Sequence, residues 1–117
     1  MSSVLVVDDD ASIRRLVKLI LTDAGFDVTV AEDGKKALAI LQVEAPSVLV
    51  LDMNMPVMDG RELFERLETA HRRPLTIIIT AGPSERTRAE LGAEASLQKP
   101  FGPEDLVEKV EELARAA

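Results

Sequence analysis

Apolar and polar positions along the chain alternate between two periods. Short continuous apolar runs, such as VLVV at residues 4–7, are typical of strands buried on both faces. Between these runs, apolar residues recur every three or four positions, which is typical of amphipathic helices. The apolar runs predict five strands, at residues 4–7, 27–31, 48–51, 75–79 and 95–97. Strands that alternate with helices in this way predict a parallel sheet covered on both faces.

Each predicted strand is followed by a predicted helix. Gly25 is placed to end the first helix, Asp59 to cap the third, and Gly102-Pro103 to open the fifth. The fourth, from Pro83 to Leu91, has a thin apolar face, so we expect it to be short and loosely held. The stripes expected to be buried are Ile13, Leu16, Val17, Ile20 and Leu21 in the first helix, Ala37, Leu38 and Leu41 in the second, Leu63, Phe64 and Leu67 in the third, and Leu106, Val107, Val110 and Leu113 in the fifth.

Composition narrows the function classes. The 117 residues fit one domain, spanning 1–117, and the absence of cysteine excludes disulfides and thiolate metal sites. A net charge of −7 and only three aromatic residues make direct nucleic-acid binding unfavourable. The apolar runs are far shorter than the roughly 20 residues of a membrane span, and the start MSSVLVVDDD does not resemble a signal peptide. We therefore expect a soluble, cytoplasmic protein, and no effector domain after the last predicted helix.

Polar side chains follow the predicted strands where each strand ends. Asp8 and Asp9 follow the first strand, Asp52 the third, Thr80 the fourth and Lys99 the fifth. The carboxyl ends of parallel strands meet at one edge of a sheet, where ligands of open α/β sheets bind. Each residue alone has an ordinary explanation, as a cap, a turn or a solvated charge. The orderly series predicts a functional site at this edge.

Adjacent carboxylates repel one another unless a cation neutralises them. Asp8, Asp9 and Asp52 would raise one another's pKa or destabilise the fold if they were packed together without one. Mg²⁺ prefers oxygen ligands and is often held by a few carboxylates together with phosphate oxygens. The cluster therefore predicts a Mg²⁺ site, whereas Asp10 is placed to cap the first helix.

Four stretches of the chain resemble the receiver domain of two-component response regulators. They are VLVVDDDASIRRLV, LVLDMNMPVMDG, IIITA and LQKPF, and the resemblance extends over essentially the full length. It implies a flavodoxin-like, doubly wound (βα)5 fold with strand order 2-1-3-4-5. It also implies a signalling domain that catalyses only its own phosphorylation and dephosphorylation.

The resemblance implies a role for each matching residue. Asp52 would accept a phosphoryl group from a histidine kinase or histidine phosphotransfer protein. Asp9, Asp52 and the backbone carbonyl of Asn54 would bind Mg²⁺, with Asp8 acting mainly through water. The phosphoryl group would be stabilised by Thr80, Ala81 and Lys99, and the peptide bond to Pro100 would be cis. The downstream target stays open, and we expect a monomer or weak homodimer without direct contact with nucleic acid or membrane.

The chain departs from the family pattern in two places. Ser96 stands where family members usually carry an aromatic residue, three positions before the lysine. The stretch between Thr80 and Lys99 is also shorter than usual, at the expense of the fourth helix. Coupling through an aromatic ring therefore cannot operate as it normally does, and we expect an atypical output face.

Two other readings compete with the receiver domain. LVLDMNM faintly resembles the nucleophile motif of haloacid-dehalogenase-like phosphatases, but Asn54 replaces the second acid and the chain is short for a substrate pocket. A binding module of the same fold that works without phosphate is disfavoured because the whole acceptor set is present. Turnover of an exogenous substrate would distinguish a phosphatase from a receiver, which takes up about one phosphoryl group.

Overall fold

The computed structural model describes residues 2–55, 60–70 and 73–117. Five parallel strands form one sheet in the order β2-β1-β3-β4-β5, which confirms the predicted doubly wound topology. The strands are β1 (Ser3–Val7), β2 (Asp27–Ala31), β3 (Val48–Asp52), β4 (Leu75–Thr80) and β5 (Ala95–Gln98). The helices are α1 (Ala11–Asp23), α2 (Gly34–Leu41), α3 (Gly60–Thr69), α4 (Ser84–Leu91) and α5 (Pro103–Ala116).

Each face of the sheet carries its own apolar core. Successive residues of a strand point to opposite faces, so Leu5 and Leu49 pack with α2 and α3, whereas Val4 and Val48 pack with α1 and α5. The strands are apolar without interruption because both faces are covered. This arrangement leaves the strand ends as the places where polar side chains can gather.

Side-chain caps fix two helix starts. The carboxylate of Asp10 accepts hydrogen bonds from the backbone N–H groups of Ser12 and Ile13, at 2.8 and 3.3 Å, which confirms its predicted role. Asp33, which the sequence places in a turn, caps α2 by accepting from the N–H of Lys36 at 2.9 Å. The predicted capping of α3 by Asp59 lies outside the described residues.

The prediction that Leu16 is buried is wrong, because 52% of this residue is exposed. The face of α1 that packs on the sheet is centred on Val17 and Leu21, and Leu16 lies one position, about 100° around the helix, from Val17. Leu16 instead lines a groove of about 430 Å³ between α1 and the segment 99–103.

The helix α4 is short, as predicted. It spans eight residues, from Ser84 to Leu91, and none of these described residues is buried. Its loose attachment stays a prediction. None of the helices in the described ranges combines the length and apolar character that crossing a bilayer requires.

Candidate functional site

Strand register brings the predicted site residues to one edge of the sheet. Asp52 pairs with Ile79 in the β3–β4 ladder, so Asp52 and Thr80 end neighbouring strands. The backbone N–H of Lys99 donates to the carbonyl of Thr80 at 2.8 Å, which continues the β4–β5 pairing beyond the strand. On the other side, the N–H of Asp8 donates to the carbonyl of Ala31 at 3.2 Å. The site is therefore built on strand ends that are hydrogen-bonded to one another.

Three carboxylates converge at this edge. Asp8, Asp9 and Asp52 each offer an oxygen, and these oxygens lie within 4.8 Å of one another. Asp8 and Asp52 are only 2% and 1% exposed, whereas Asp9 is exposed. The cluster therefore consists of two buried carboxylates and a third that faces solvent, so it is accessible from outside the protein.

The hydrogen bonds of the cluster leave room for a cation. Backbone N–H groups of Asp10 and Asn54 donate to one oxygen each of Asp8 and Asp52, at 2.9 and 3.1 Å. The other oxygen of Asp8, Oδ2, is buried and has no hydrogen-bond partner among the described residues. A buried carboxylate oxygen needs a donor or a cation, and the neighbouring carboxylates are the ligands that Mg²⁺ prefers. The donor set therefore fits Mg²⁺.

Burial dominates the electrostatics of Asp52. It raises the pKa of this carboxyl to about 6, helped by the charge of Asp8 and opposed by the N–H of Asn54 and the charge of Lys99. Burial likewise raises the pKa of Asp8. Both carboxylates would be more stable in their ionised form beside an additional positive charge.

One lysine reaches into the acidic cluster. The Nζ of Lys99 lies 3.5 Å from Oδ1 of Asp52, and its side chain is about a third exposed. The Lys99–Pro100 peptide bond is cis. Lys99 can therefore contact both Asp52 and any anion that attaches to Asp52.

The first residue of α3 packs directly on the strand that carries Asp52. A Cβ atom at Gly60 would lie 2.5 Å from the carbonyl oxygen of Asp52 and 2.8 Å from the Cα of Met53. Both atoms belong to the backbone, so no side chain can be accommodated without moving the strand or the helix. Gly60 thereby lets α3 approach the end of β3 closely, a requirement that motif reading alone did not explain.

The hydroxyl of Thr80 is already engaged. Its Oγ1 donates to the carbonyl of Gly82 at 2.7 Å, so the side chain holds the start of the β4–α4 loop. Ala81 lies between them and is exposed. A stronger acceptor at Asp52 could compete for this hydroxyl.

A contact that the sequence did not reveal links β5 to α4. Ser96 is 7% exposed, and its Oγ donates to Oε2 of Glu85 at 2.6 Å. The Nε of Arg88 donates to the same oxygen at 3.0 Å. Ser96 thus occupies the predicted switch position with a polar bond to α4, in place of a ring.

The family model described as "Response regulator receiver domain" matches residues 4–111. This chain belongs to the response regulator receiver domain family. Receiver domains bind Mg²⁺ in an acidic pocket, and the cluster of Asp8, Asp9 and Asp52 supplies such a pocket here. The chain is thereby assigned to two-component signalling.

Relatives of known sequence include the "Probable transcriptional regulator ycf27" of Cyanophora paradoxa, which is 39% identical over 114 residues, or 96% of this chain and 48% of the relative. The "Transcriptional regulatory protein CpxR" of Escherichia coli (strain K12) is 38% identical over 118 residues, or 98% of this chain and 50% of the relative. The receiver domain described here therefore spans about half the length of the curated relatives it matches.

Solved structures of receiver domains superpose closely on this one. The receiver domain of the Francisella response regulator 1452 has a TM-score of 0.93 at 34% identity, covering 99% of this chain and 98% of that chain. The chemotaxis protein CheY4 of Vibrio cholerae has a TM-score of 0.86 at 36% identity, covering 97% of this chain and 98% of that chain. Both support the flavodoxin-like fold.

Proposed function

We propose that this receiver domain is a phosphorylation switch whose acceptor is Asp52. The observation that carries the proposal is the 3.5 Å distance between Nζ of Lys99 and Oδ1 of Asp52, within a cluster of three carboxylates. A buried carboxylate beside a lysine and a cation site is arranged to hold a transferred phosphoryl group, because transfer depends mainly on positioning and charge stabilisation.

Each residue of the site would have a separate role in phosphoryl transfer. The ionised carboxylate of Asp52 attacks phosphorus, held in place by its bond from the N–H of Asn54. Lys99 neutralises a phosphoryl oxygen as charge develops there. Asp8, Asp9 and Asp52, with the backbone carbonyl of Asn54, would hold Mg²⁺. When bound, Mg²⁺ supplies the further positive charge that lets an anionic nucleophile approach an anionic phosphoryl group.

The product would change the hydrogen bonding of Thr80. A phosphoryl group adds close to two negative charges and several acceptor oxygens. These oxygens are stronger acceptors than the carbonyl of Gly82, to which Thr80 now donates. We propose that Thr80 and the N–H of Ala81 turn toward the phosphoryl group, and that the β4–α4 loop follows.

The output would not use an aromatic ring. Ser96 bonds to Glu85 in the first turn of α4, and none of the eight residues of α4 is buried, although Leu91 packs against the core at the other end of the helix. A shift of the β4–α4 loop would therefore act on a helix whose first turn is attached to β5 by a polar contact. We propose that the face formed by α4, β5 and α5 signals in this atypical way.

The partners follow from the family. Receiver domains interact with histidine kinases or histidine phosphotransfer proteins, which we propose as phosphodonors here, in the cytoplasm. The relatives are named transcriptional regulators, which is consistent with a DNA-binding output attached to this domain. The domain itself, residues 1–117, carries a net charge of −7 and would make no contact with nucleic acid.

Intact mass spectrometry tests the acceptor. The protein is incubated with Mg²⁺ and either acetyl phosphate or phosphoramidate, and we expect one added phosphoryl group that is lost at alkaline pH. Asp52→Asn should remain unlabelled, whereas the control Asp27→Asn, at the exposed start of β2, should label like wild type. Equal labelling of Asp52→Asn and wild type would remove Asp52 from its proposed role.

A further inference from the structure

A small polar pocket adjoins the proposed acceptor. It has a volume of about 270 Å³ and lies between the loops that follow β3 and β4. Asn54 and Thr80 border it and also belong to the site, because the N–H of Asn54 donates to Asp52. The described lining residues are Met53, Asn54, Arg61, Thr80, Gly82, Pro83 and Thr87.

The charge of this pocket is opposite to that of the domain. Arg61, in the first turn of α3, is the one charged residue among the described lining residues, none of which is acidic. The whole chain carries a net charge of −7. A cationic pocket in an acidic domain favours small anions at this position.

The guanidinium is available for an incoming anion. Its contact with Glu90, 3.8 Å between Nη2 and Oε2, joins two side chains that are about half exposed. Exposed pairs of this kind contribute little to stability, and Glu90 also contacts Arg86 at 3.4 Å. Arg61 can therefore turn from Glu90 to a ligand without leaving that carboxylate unpaired.

We propose that this pocket receives the carboxylate that leaves when a small acyl phosphate phosphorylates Asp52. The inference rests on the proposed function and adds to it a residue that discriminates between donors. Arg61 would bind the departing carboxylate, and Met53 and Pro83 would contact the short acyl chain. Arg61 is thus a residue that selects donors whose leaving group is anionic.

The reaction balances without another reactant. An oxygen of the Asp52 carboxylate forms a bond to phosphorus, and the bond between phosphorus and the acyl oxygen breaks. Its electron pair stays on that oxygen, giving a free carboxylate, and no proton is transferred. In a displacement of this kind the attacking and leaving oxygens lie roughly in line, so the leaving group departs into the space in front of Asp52, which Asn54 and Thr80 border.

The test compares two donors that differ in the charge of the leaving group. Acetyl phosphate releases acetate, an anion, whereas phosphoramidate releases neutral ammonia. Rates of labelling are measured with Mg²⁺ for wild type, Arg61→Gln and Arg86→Gln. Arg86 is the matched control, because it is an arginine that also contacts Glu90 but does not line the pocket. Both variants remove one positive charge, so the net charge of the protein changes by the same amount in each.

We expect Arg61→Gln to lower the ratio of the acetyl phosphate rate to the phosphoramidate rate by about threefold to fivefold, the size of a partly exposed charge pair. Arg86→Gln should keep the wild-type ratio. The same ratio in all three proteins would overturn the inference and leave Asp52 as acceptor. Failure of wild type to be labelled by either donor would overturn the proposed function itself. Thermal unfolding of each variant checks that the fold is intact.

Discussion

The hydroxyl of Ser96 donates to the carboxylate of Glu85 across 2.6 Å, and this bond joins β5 to the first turn of α4. The hydrogen bonds from Ser96 and Arg88 lower the pKa of Glu85, so Glu85 is ionised over the physiological range. None of the described residues of α4 is buried, and Leu91, which packs against the core, lies at the opposite end of the helix. We therefore expect this bond to help hold the amino end of α4.

Loss of that bond should loosen α4. We expect Ser96→Ala to speed hydrogen exchange of the amides in residues 84–91 by about threefold to tenfold, since a charge-assisted hydrogen bond is removed. Peptide-level exchange measured by mass spectrometry provides the comparison. Ser12→Ala, at an exposed position of α1, should leave these amides unchanged. Exchange in wild type that is already as slow as in β4 would contradict a loosely held helix.

The raised pKa of Asp52 predicts a cost to stability. The carboxyl has a pKa of about 6 in the folded state against an ordinary 3.8, so ionisation disfavours folding above that range. The cost is complete above about pH 6 and fades as the pH falls towards 3.8. In metal-free buffer, Asp52→Asn should therefore raise the free energy of unfolding by about 1 to 3 kcal/mol at about pH 7.

Urea unfolding across this pH range measures the effect. The gain from Asp52→Asn should shrink as the pH is lowered from 6, where the wild-type carboxyl takes up its proton. Asp27→Asn, a change of an exposed aspartate, should show no such trend. A gain that stays constant with pH would mean that burial does not shift the titration of Asp52.

Binding of Mg²⁺ should stabilise the folded domain. A ligand that binds only the folded state adds about 1 kcal/mol once its concentration is several times Kd. We expect the rise in Tm with Mg²⁺ to disappear in Asp9→Asn and to persist in Asp10→Asn. Asn can still cap α1 in place of Asp10, so the second variant isolates the role of Asp9. Equal responses of the two variants would place the ion elsewhere.

Lys99 should affect phosphorylation through charge. We expect Lys99→Met to slow labelling of Asp52 by about 100-fold, because one preorganised cation at the phosphoryl oxygens is lost. Lys35→Met removes the same charge from an exposed position of α2 and should have little effect. If the two variants were labelled at the same rate, Lys99 would not speed phosphoryl transfer despite its 3.5 Å contact with Asp52.

We expect Arg73 to stabilise the fold at the end of the sheet opposite the carboxylate cluster. Its guanidinium bonds to both oxygens of Glu94, at 2.5 and 2.8 Å, and lies 4.5 Å from the centroid of the Phe64 ring. The side chain is only 14% exposed. Arg73→Met should lower the free energy of unfolding by about 2 kcal/mol, because Glu94 loses its partner.

Arg66 provides the matched comparison. It pairs with Glu62 on the exposed side of α3, where the arginine side chain is 58% exposed, so Arg66→Met should cost less than about 0.5 kcal/mol. Denaturant unfolding of both variants gives the two numbers. Similar losses for the two arginines would show that the Glu94 pair contributes no more than a surface ion pair.

Patterns within one element predicted most of the fold. The uninterrupted apolar runs around Val4 and Val48 identified buried parallel strands, and the series of strand-end residues placed Asp8, Asp52 and Lys99 at one edge. These inferences succeeded because the period of a strand and the position of its end are local properties of the sequence.

Contacts between elements could not be read in the same way. The bond between Ser96 and Glu85 depends on how α4 is oriented over β5, and the pairing of Arg73 with Glu94 joins residues 21 positions apart. The prediction that Leu16 is buried failed for a related reason. Its spacing from other apolar residues fits a buried stripe, but the width of the helix face that packs on the sheet decides whether it is buried. The sequence did show that Ser96 departs from the family pattern.

The pairing of Arg73 with Glu94 sets a pivot for α4. Glu94 lies just before β5, and the N–H of Thr76 also donates to it, at 2.7 Å, so the turn that follows α4 is bound to the start of β4. The other end of the helix follows Thr80, whose hydroxyl donates to the carbonyl of Gly82 and would change its acceptor on phosphorylation. A rearrangement that begins at Thr80 would thus rotate the first turn of α4 about its last turn. We expect a partner that distinguishes the two states to bind that first turn.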